Sequence, residues 1–411
     1  MNAVSKPAGA EGGTSLPGAY WRLWTASSTS ALGDGAFSAA APVIAALHGS
    51  SALAVSLIAA ASYLPWLLFS VAAGNALDRS DRIRIFVRAQ YVQFAAAAIF
   101  AASLLFTSPS AIALGAVAFV IGTAEVFAGN ASQVILPSIV QDGSLGRANG
   151  YLASGATVTR SFLGPPIGSV TAALYAAFPI VLNAVSFLVS ALIVKGLRTN
   201  ITPTRPSEEK KQMRSALRWL RSQSFLLTLL MLLAVNNFCN QVGSAVLVVL
   251  VTRTMQLPAV TYGLLITSMA IGGFAGGLLA HQIVGRIGER ATLIVSLSVT
   301  GVAFVCTAVG GVVTFGALLL FVGLSSAVWN VVTLTARQRL VPAGMLGRVN
   351  SLYRMAGWGL IPVGAVVGGV IAQAWTPAAA FPLAGALRLA TLIAALPILL
   401  SSATIGRKMP S

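Results

Sequence analysis

Twelve apolar stretches, each about as long as a bilayer core is thick, follow one another along this chain. A hydrocarbon core of ~30 Å takes about 20 residues at 1.5 Å each. Inside it no water is available to pair a backbone amide, so each stretch must pair its own, which selects helices. The runs fall near 21–47, 52–77, 85–106, 111–140, 147–175 and 178–197, then 223–251, 259–284, 291–309, 312–341, 346–374 and 378–403. Composition agrees: 56% of the 411 residues are hydrophobic and 9% are charged, against about 25% charged in a soluble domain. The polar stretch Met1 to Leu16 has no apolar segment of its own, so no cleavable leader is expected.

The net charge is +17, which by itself would suit nucleic acid. Its placement excludes that partner. Counting from a cytoplasmic N-terminus, all but three of the 26 Lys and Arg residues fall on the cytoplasmic side; the exceptions are Arg160 and Arg388 within spans and Arg253 after span seven. Outer connections such as Thr107-Ser108-Pro109-Ser110 carry no charge. That is the positive-inside pattern of a multi-pass membrane protein with both termini in the cytoplasm.

The chain also repeats itself. Leu145-Gly146-Arg147-Ala148-Asn149 matches Leu346-Gly347-Arg348-Val349-Asn350 at an offset of 201, and Gly168 matches Gly369 at the same offset. Six spans return the chain to its starting side, so the halves are parallel copies. The organisation expected is a cytoplasmic tail (1–20), a six-helix bundle (21–197), a basic linker (198–222), a second six-helix bundle (223–403) and a short tail (404–411). The fold class is all-α and integral to the membrane, in two pseudo-symmetric bundles. Met213, Leu217 and Leu220 share one face of the linker, opposite Arg214, Arg218 and Arg221, as in a helix lying on an anionic leaflet.

With these features the chain resembles the major facilitator superfamily, and within it the bacterial branch of macrolide and siderophore exporters. Three motifs carry the resemblance. Gly74-Asn75-Ala76-Leu77-Asp78-Arg79-Ser80-Asp81-Arg82, between spans two and three, resembles the family's signature loop. The resemblance implies that Gly74 makes the turn, that Asp78 braces span eleven when the inner side is shut, and that Arg79 or Arg82 pairs with Asp142. A degenerate copy between spans eight and nine has Gly285 where the acid would stand. Gly164-Pro165-Pro166-Ile167-Gly168 in span five, with Gly155 before it, resembles the motif of the family's antiporters. Ser169 and Arg160 depart from it. Span eleven, at the repeat offset, has Ala365, Val366 and Gly369, which places the motif in one half only.

Charges inside a membrane are costly and point to function. Asp34, Glu125 and Arg160 all lie ~20 Å from the cytoplasmic ends of their helices by residue count. The second half offers uncharged polar groups at that level: Asn236 and Asn240 on span seven, Trp329 and Asn330 on span ten, besides Asn130 on span four. The resemblance implies that spans one, four, seven and ten ring a central cavity. Phe37 and Phe127 beside the acids would then suit an amphipathic, often cationic ligand.

The function these expectations describe is proton-coupled efflux of an amphipathic small molecule, such as an antibiotic, siderophore or natural product, from the bacterial plasma (inner) membrane by a monomer in the lipid bilayer. A carboxylate carried into an apolar cavity favours its neutral form and ionises when water enters, and the proton gradient is then the energy source, with no cofactor. No phosphate-binding Gly-Lys-Ser/Thr loop is present and the only histidines are His48 and His281, so neither an ATP motor, a metal site nor an enzyme is expected. An importer or facilitator of a metabolite, and a sensor or scaffold that does not transport, stay open at this point.

Overall fold

A computed structural model describes residues 16–141, 144–197, 209–307 and 310–401. Among them there is no strand. The helices are α1 (Gly18–Leu47), α2 (Ala52–Arg79), α3 (Arg82–Ser103), α4 (Ala111–Ile139), α5 (Leu145–Ala156), α6 (Gly164–Leu174), α7 (Ala177–Lys195), α8 (Glu209–Ser222), α9 (Ser224–Ser244), α10 (Leu247–Val249), α11 (Ala259–Cys306), α12 (Val312–Leu340), α13 (Ala343–Gly359), α14 (Ile361–Ala374) and α15 (Ala380–Ser401). Among the described residues ten helical stretches are long and apolar enough to cross a membrane.

Local chemistry sets the helix ends. Ser51, Asp81 and Ser110 stand just before α2, α3 and α4, and their side chains accept from the backbone N–H of Ala54, Ile83 and Ala113, satisfying donors that a first turn otherwise leaves open. Beyond the far end of α3 the sequence turns to Thr107-Ser108-Pro109. α11 runs for 48 residues, more than twice the length a crossing needs. It is broken at Gly288, whose φ of 80° and ψ of 161° are not helical; a positive φ is accessible to glycine at no steric cost.

Span five departs from expectation in an informative way. Instead of one helix it is α5, a π turn over Thr157–Leu163, and α6. A π turn holds one residue more than the α-helix it interrupts. The extra residue shows up in the repeat: the offset between the halves is 201 before the turn and 200 after it. The glycines that do the same work as Gly164 and Gly168 are therefore Gly364 and Gly368, not Ala365 and Gly369. A Cβ on Gly164 would stand 2.7 Å from the backbone of Gly35 and one on Gly168 2.0 Å from the carbonyl of Ala36, both on α1. A Cβ on Gly364 would stand 2.5 Å from the carbonyl of Phe238 and one on Gly368 2.2 Å from that of Val242, both on α9. The expectation that this glycine pattern belongs to one half is corrected. The pair Pro165-Pro166 is what the first half alone carries, and Gly369 faces Ser56 of α2 instead.

This packing suits a lipid solvent. Between helices in a membrane the hydrophobic effect gives little, so small residues and backbone approach hold the bundle. Within the first half α1 packs on α6 and α7, and α4 on α2 and α3; within the second, α11 packs on α12 and α15, and α9 on α14 and α15. The halves meet where α14 lies along α2 and α6 along α11. The linker helix α8 buries Ala216 and Leu220 against the second half and leaves Arg218 and Arg221 exposed.

Gly168→Leu has to force α1 and α6 apart, at a cost of about 1–3 kcal/mol for overpacking. Its melting temperature in detergent is expected to fall well below that of the native chain. Gly150→Ala, where nothing lies within 4 Å of the added atom, is the control and is expected to melt with the native protein or slightly above it.

Candidate functional site

The π turn carries Arg160, and with it the one cluster of opposite charges found inside the first bundle among the described residues. On α1 the sequence Gly33-Asp34-Gly35 lets neighbouring helices come in on both sides of the acid. A Cβ on Gly33 would stand 2.1 Å from Oγ of Ser186 on α7, and one on Gly35 would stand 2.2 Å from the backbone oxygen of Arg160. The π turn thus seats its backbone on α1, and the guanidinium emerges between α1 and α4. Its Nη2 is 3.7 Å from Asp34 Oδ2 and its Nη1 3.8 Å from Glu125 Oε1. These separations exceed hydrogen-bond length. One cation holds two anions by charge, without the two-pronged clasp that would fix either.

The three groups differ in what else they meet. Asp34 is buried at 6% exposure. Glu125 takes a hydrogen bond from Gln93 Nε2 at 3.3 Å, and the same amide reaches the carbonyl of Ile121. Arg160 keeps 49% of its side-chain surface open although acids on α1 and α4 flank it and Tyr63 of α2 is within electrostatic reach. A cation surrounded by three helices of one bundle yet half accessible lines a crevice, not a dry core. Gln93 and its neighbour Gln90, which donates to Ser30 on α1, were not among the expected site residues. Two amides a helical turn apart in span three, past Arg88 and before its apolar second half, are the signal that marks them.

The other expected residues are scattered. Phe37 belongs to the packed core at one end of the bundle, at 5% exposure. Trp329 is 1% exposed in the core of the second half, its indole N–H without a partner. Neither lines a cavity, because the helix phase turns each toward neighbouring helices. Asn130 closes its amide on the carbonyl of Val126 one turn back. Asn330 is exposed. Asn236 is buried and Asn240 partly so, both with an unpartnered side-chain oxygen. Gly155 packs on Trp24 and Ser28 of α1, and Pro165 is buried against α11 through Gly263. Of the signature loop, Gly74 is inside α2 with open space around it and does not make a turn, and Arg82 opens α3. The side chains of Asp78 and Arg79, and Asp142 altogether, lie outside the described residues. Asp81 caps α3 and pairs with Arg84 at 3.3 Å. In the second copy, Glu289 supplies an acid after all, paired with Arg339 of α12 at 2.6 Å.

Arg388 does not reach for the membrane surface. It is 3% exposed, donates from Nη2 to the backbone oxygen of Asn236 at 3.0 Å, and stacks over the ring of Phe304 at 4.2 Å. It ties α15 to α9 within the second half.

Between the halves, the two ends of the molecule differ. Around the C-terminal end of α1 a single core takes residues from both, among them Ile44, Val55, Val246 and Tyr262. There Arg253, an exception to the charge rule, spans the divide and donates to the carbonyl of Ala46 at 2.7 Å. At the opposite end the first half has its own core, around Leu77 and Val140, and the second has another, around Val341 and Val349. Partway along, Trp66 meets Trp358 with ring centres 4.6 Å apart, and Arg354 reaches Gln133.

From residue 17 to 408 the sequence matches the family described as transmembrane secretion effector. The chain belongs to that family. Among curated proteins no sequence matches. Solved structures that share its fold include the nucleoside transporter NupG, at 11% identity and a TM-score of 0.74 over 94% of this chain and 100% of that one. A bacterial homologue of the iron transporter ferroportin in an inward-facing state aligns at 17% identity and 0.68, over 92% and 100%. Such a homologue in an outward-facing state aligns at 18% and 0.60, over 94% and 99%. The fold is of the major-facilitator kind, and family and fold together make this a multi-pass membrane transporter and not an enzyme.

Two outcomes follow from the geometry. In a double-mutant cycle of Asp34→Asn and Arg160→Gln, the coupling energy read from thermal melting is expected at about 1–3 kcal/mol, with the single Arg160→Gln the least stable because it leaves two acids facing each other. Arg253→Ala removes a charged donor worth about 1.5–3 kcal/mol from the closed end. It is expected to raise at least tenfold the labelling rate of a cysteine introduced near Ala46.

Proposed function

We propose that the protein is a proton-coupled exporter of an amphipathic small molecule that works by alternating access, with twelve crossings in two bundles of six (21–197 and 223–403) joined by the linker 198–222. Gly288 divides the 48-residue α11 into two crossings, and α5, the π turn and α6 together make another. Counted so, the ten long apolar helices among the described residues support a reading of twelve crossings. The charge distribution puts both termini in the cytoplasm of a bacterial inner membrane, so the end where the halves part faces inward. The protein acts as a monomer.

The observation that carries the reading is the shared guanidinium. With both carboxylates ionised the cluster of Asp34, Glu125 and Arg160 has a net charge of −1; with one protonated it is neutral. Enclosing a net charge away from water is costly, and a neutral cluster removes most of that cost. Protonation therefore favours the occluded passage between states. Loss of the proton to the cytoplasm leaves a negative crevice that attracts a cationic or amphipathic ligand. Arg160 cancels one of the two acids permanently, so the cycle carries one proton. Asp34 is the group that takes it. Glu125 has Gln93 to stabilise its charge, whereas Asp34 has Arg160 alone. The family's description as a secretion effector supports export as the direction.

Everted vesicles energised by respiration are the test. Transport of a lipophilic cationic substrate into them is expected to collapse on adding an uncoupler. Asp34→Asn is expected to lower it by at least tenfold while folding normally and still exchanging substrate without a gradient; Glu125→Gln keeps some coupling. Full uncoupler-sensitive transport by Asp34→Asn would remove that residue from the mechanism.

A further inference from the structure

A cavity of about 780 Å³ lies apart from the charge cluster, on the outer flank of the first bundle between α2, α3 and α4. Its volume is that of a small-molecule site, but its position is not that of a transport pathway, since no residue of the second half lines it. Its floor is apolar, built from Phe69, Val92, Phe119 and Val120. Its mouth is charged: Asp81, Arg84 and Arg88 line the end where α3 begins.

The face of α3 that borders it explains the arrangement. Arg84, Arg88, Val92, Ala95 and Ile99 recur every three to four residues and are all exposed, so they form one stripe along the helix. The apolar end of that stripe, with Ile99 71% exposed, faces acyl chains. The charged end shares the same lipid-facing side. Arg84 is already paired with Asp81. Arg88 has no hydrogen-bond or ion-pair partner among the described residues, and its Cα lies ~9 Å along the helix from Arg82. An arginine that only fixes topology needs water around it. This one stands at the rim of an apolar cleft, level with the headgroups its long side chain can reach.

We propose that this groove binds an anionic phospholipid of the cytoplasmic leaflet, its phosphate on Arg88 and Arg84 and one acyl chain lying over Phe69, Val92 and Val120 between α2 and α3. The occupant follows from charge and shape together. Two guanidiniums against one carboxylate give the mouth a net positive charge, which complements an anionic headgroup, and the cytoplasmic leaflet holds such lipids beside a basic rim. The apolar floor leading away from that mouth along a lipid-facing helix fits a chain attached to the headgroup. A soluble anion would leave it bare.

The test uses the delipidated full-length protein in detergent, titrated with phosphatidylglycerol and read by native mass spectrometry. The native chain is expected to hold one phosphatidylglycerol more tightly than any other. Arg88→Gln is expected to weaken that first binding about fivefold, the loss of one basic residue at a membrane surface. Val120→Trp, which fills the groove and leaves every charge in place, is expected to abolish it; Val92→Trp does the same should Val120→Trp not fold. Phosphatidylcholine with the same acyl chains is expected to bind the native protein no better than phosphatidylglycerol binds Arg88→Gln. Unchanged binding in Arg88→Gln overturns the proposal. So does loss in Arg88→Gln with full retention in both groove-filling variants, which means that surface charge alone collects lipid. Equal affinity for the two lipids overturns it as well.

Discussion

One positive charge serving two negative ones is the constraint around which the first bundle is arranged. Asp34 and Glu125 stand on helices that could not bury two like charges side by side. Arg160 makes their coexistence tolerable, and it reaches them because the π turn sets its backbone against the bare Cα of Gly35. The loose 3.7 and 3.8 Å separations matter as much as the pairing. A guanidinium clasped by two hydrogen bonds to one acid would be a structural fixture. One suspended between two acids can lean toward either when the other loses its charge.

The second bundle is built to a different end. Its buried cation, Arg388, has no acid beside it and is held by a backbone carbonyl and an aromatic face. Its asparagines leave side-chain oxygens unpartnered in the interior. Among the described residues nothing there matches the first bundle's buried pairing of two acids with one cation. The two halves are joined on one side by a continuous apolar core and by Arg253 and Ser56, each donating to a carbonyl across the divide. On the other side each keeps its own core. Two bodies that share apolar contact at one end and little at the other suit the rocking motion of the mechanism proposed above.

Much of this was legible from residue order. Helices and their approximate ends follow from apolar length, since lipid allows a chain few alternatives. Asp34, Glu125 and Arg160 share a depth that counting residues along each helix reveals. What counting does not supply is rotation. Phe37 and Trp329 sit at suitable heights but point into packed cores, because a helix with apolar residues all round gives no periodic signal for which side faces a crevice. Gln93 was visible as a polar residue in an apolar span, yet its bond to Glu125 depends on how α3 leans on α4. The π turn left one trace, a slip of a single residue between the halves. That slip is easily lost because Gly168 has a glycine at either offset, Gly368 or Gly369.

That one inserted residue breaks the likeness of two otherwise matching halves. Two identical copies would hold the same charges at the same depth. By advancing a single helix a fraction of a turn, and setting a cation in the slack, the chain confines its intramembrane ion pairs to one lobe and leaves its twin, among the described residues, with none.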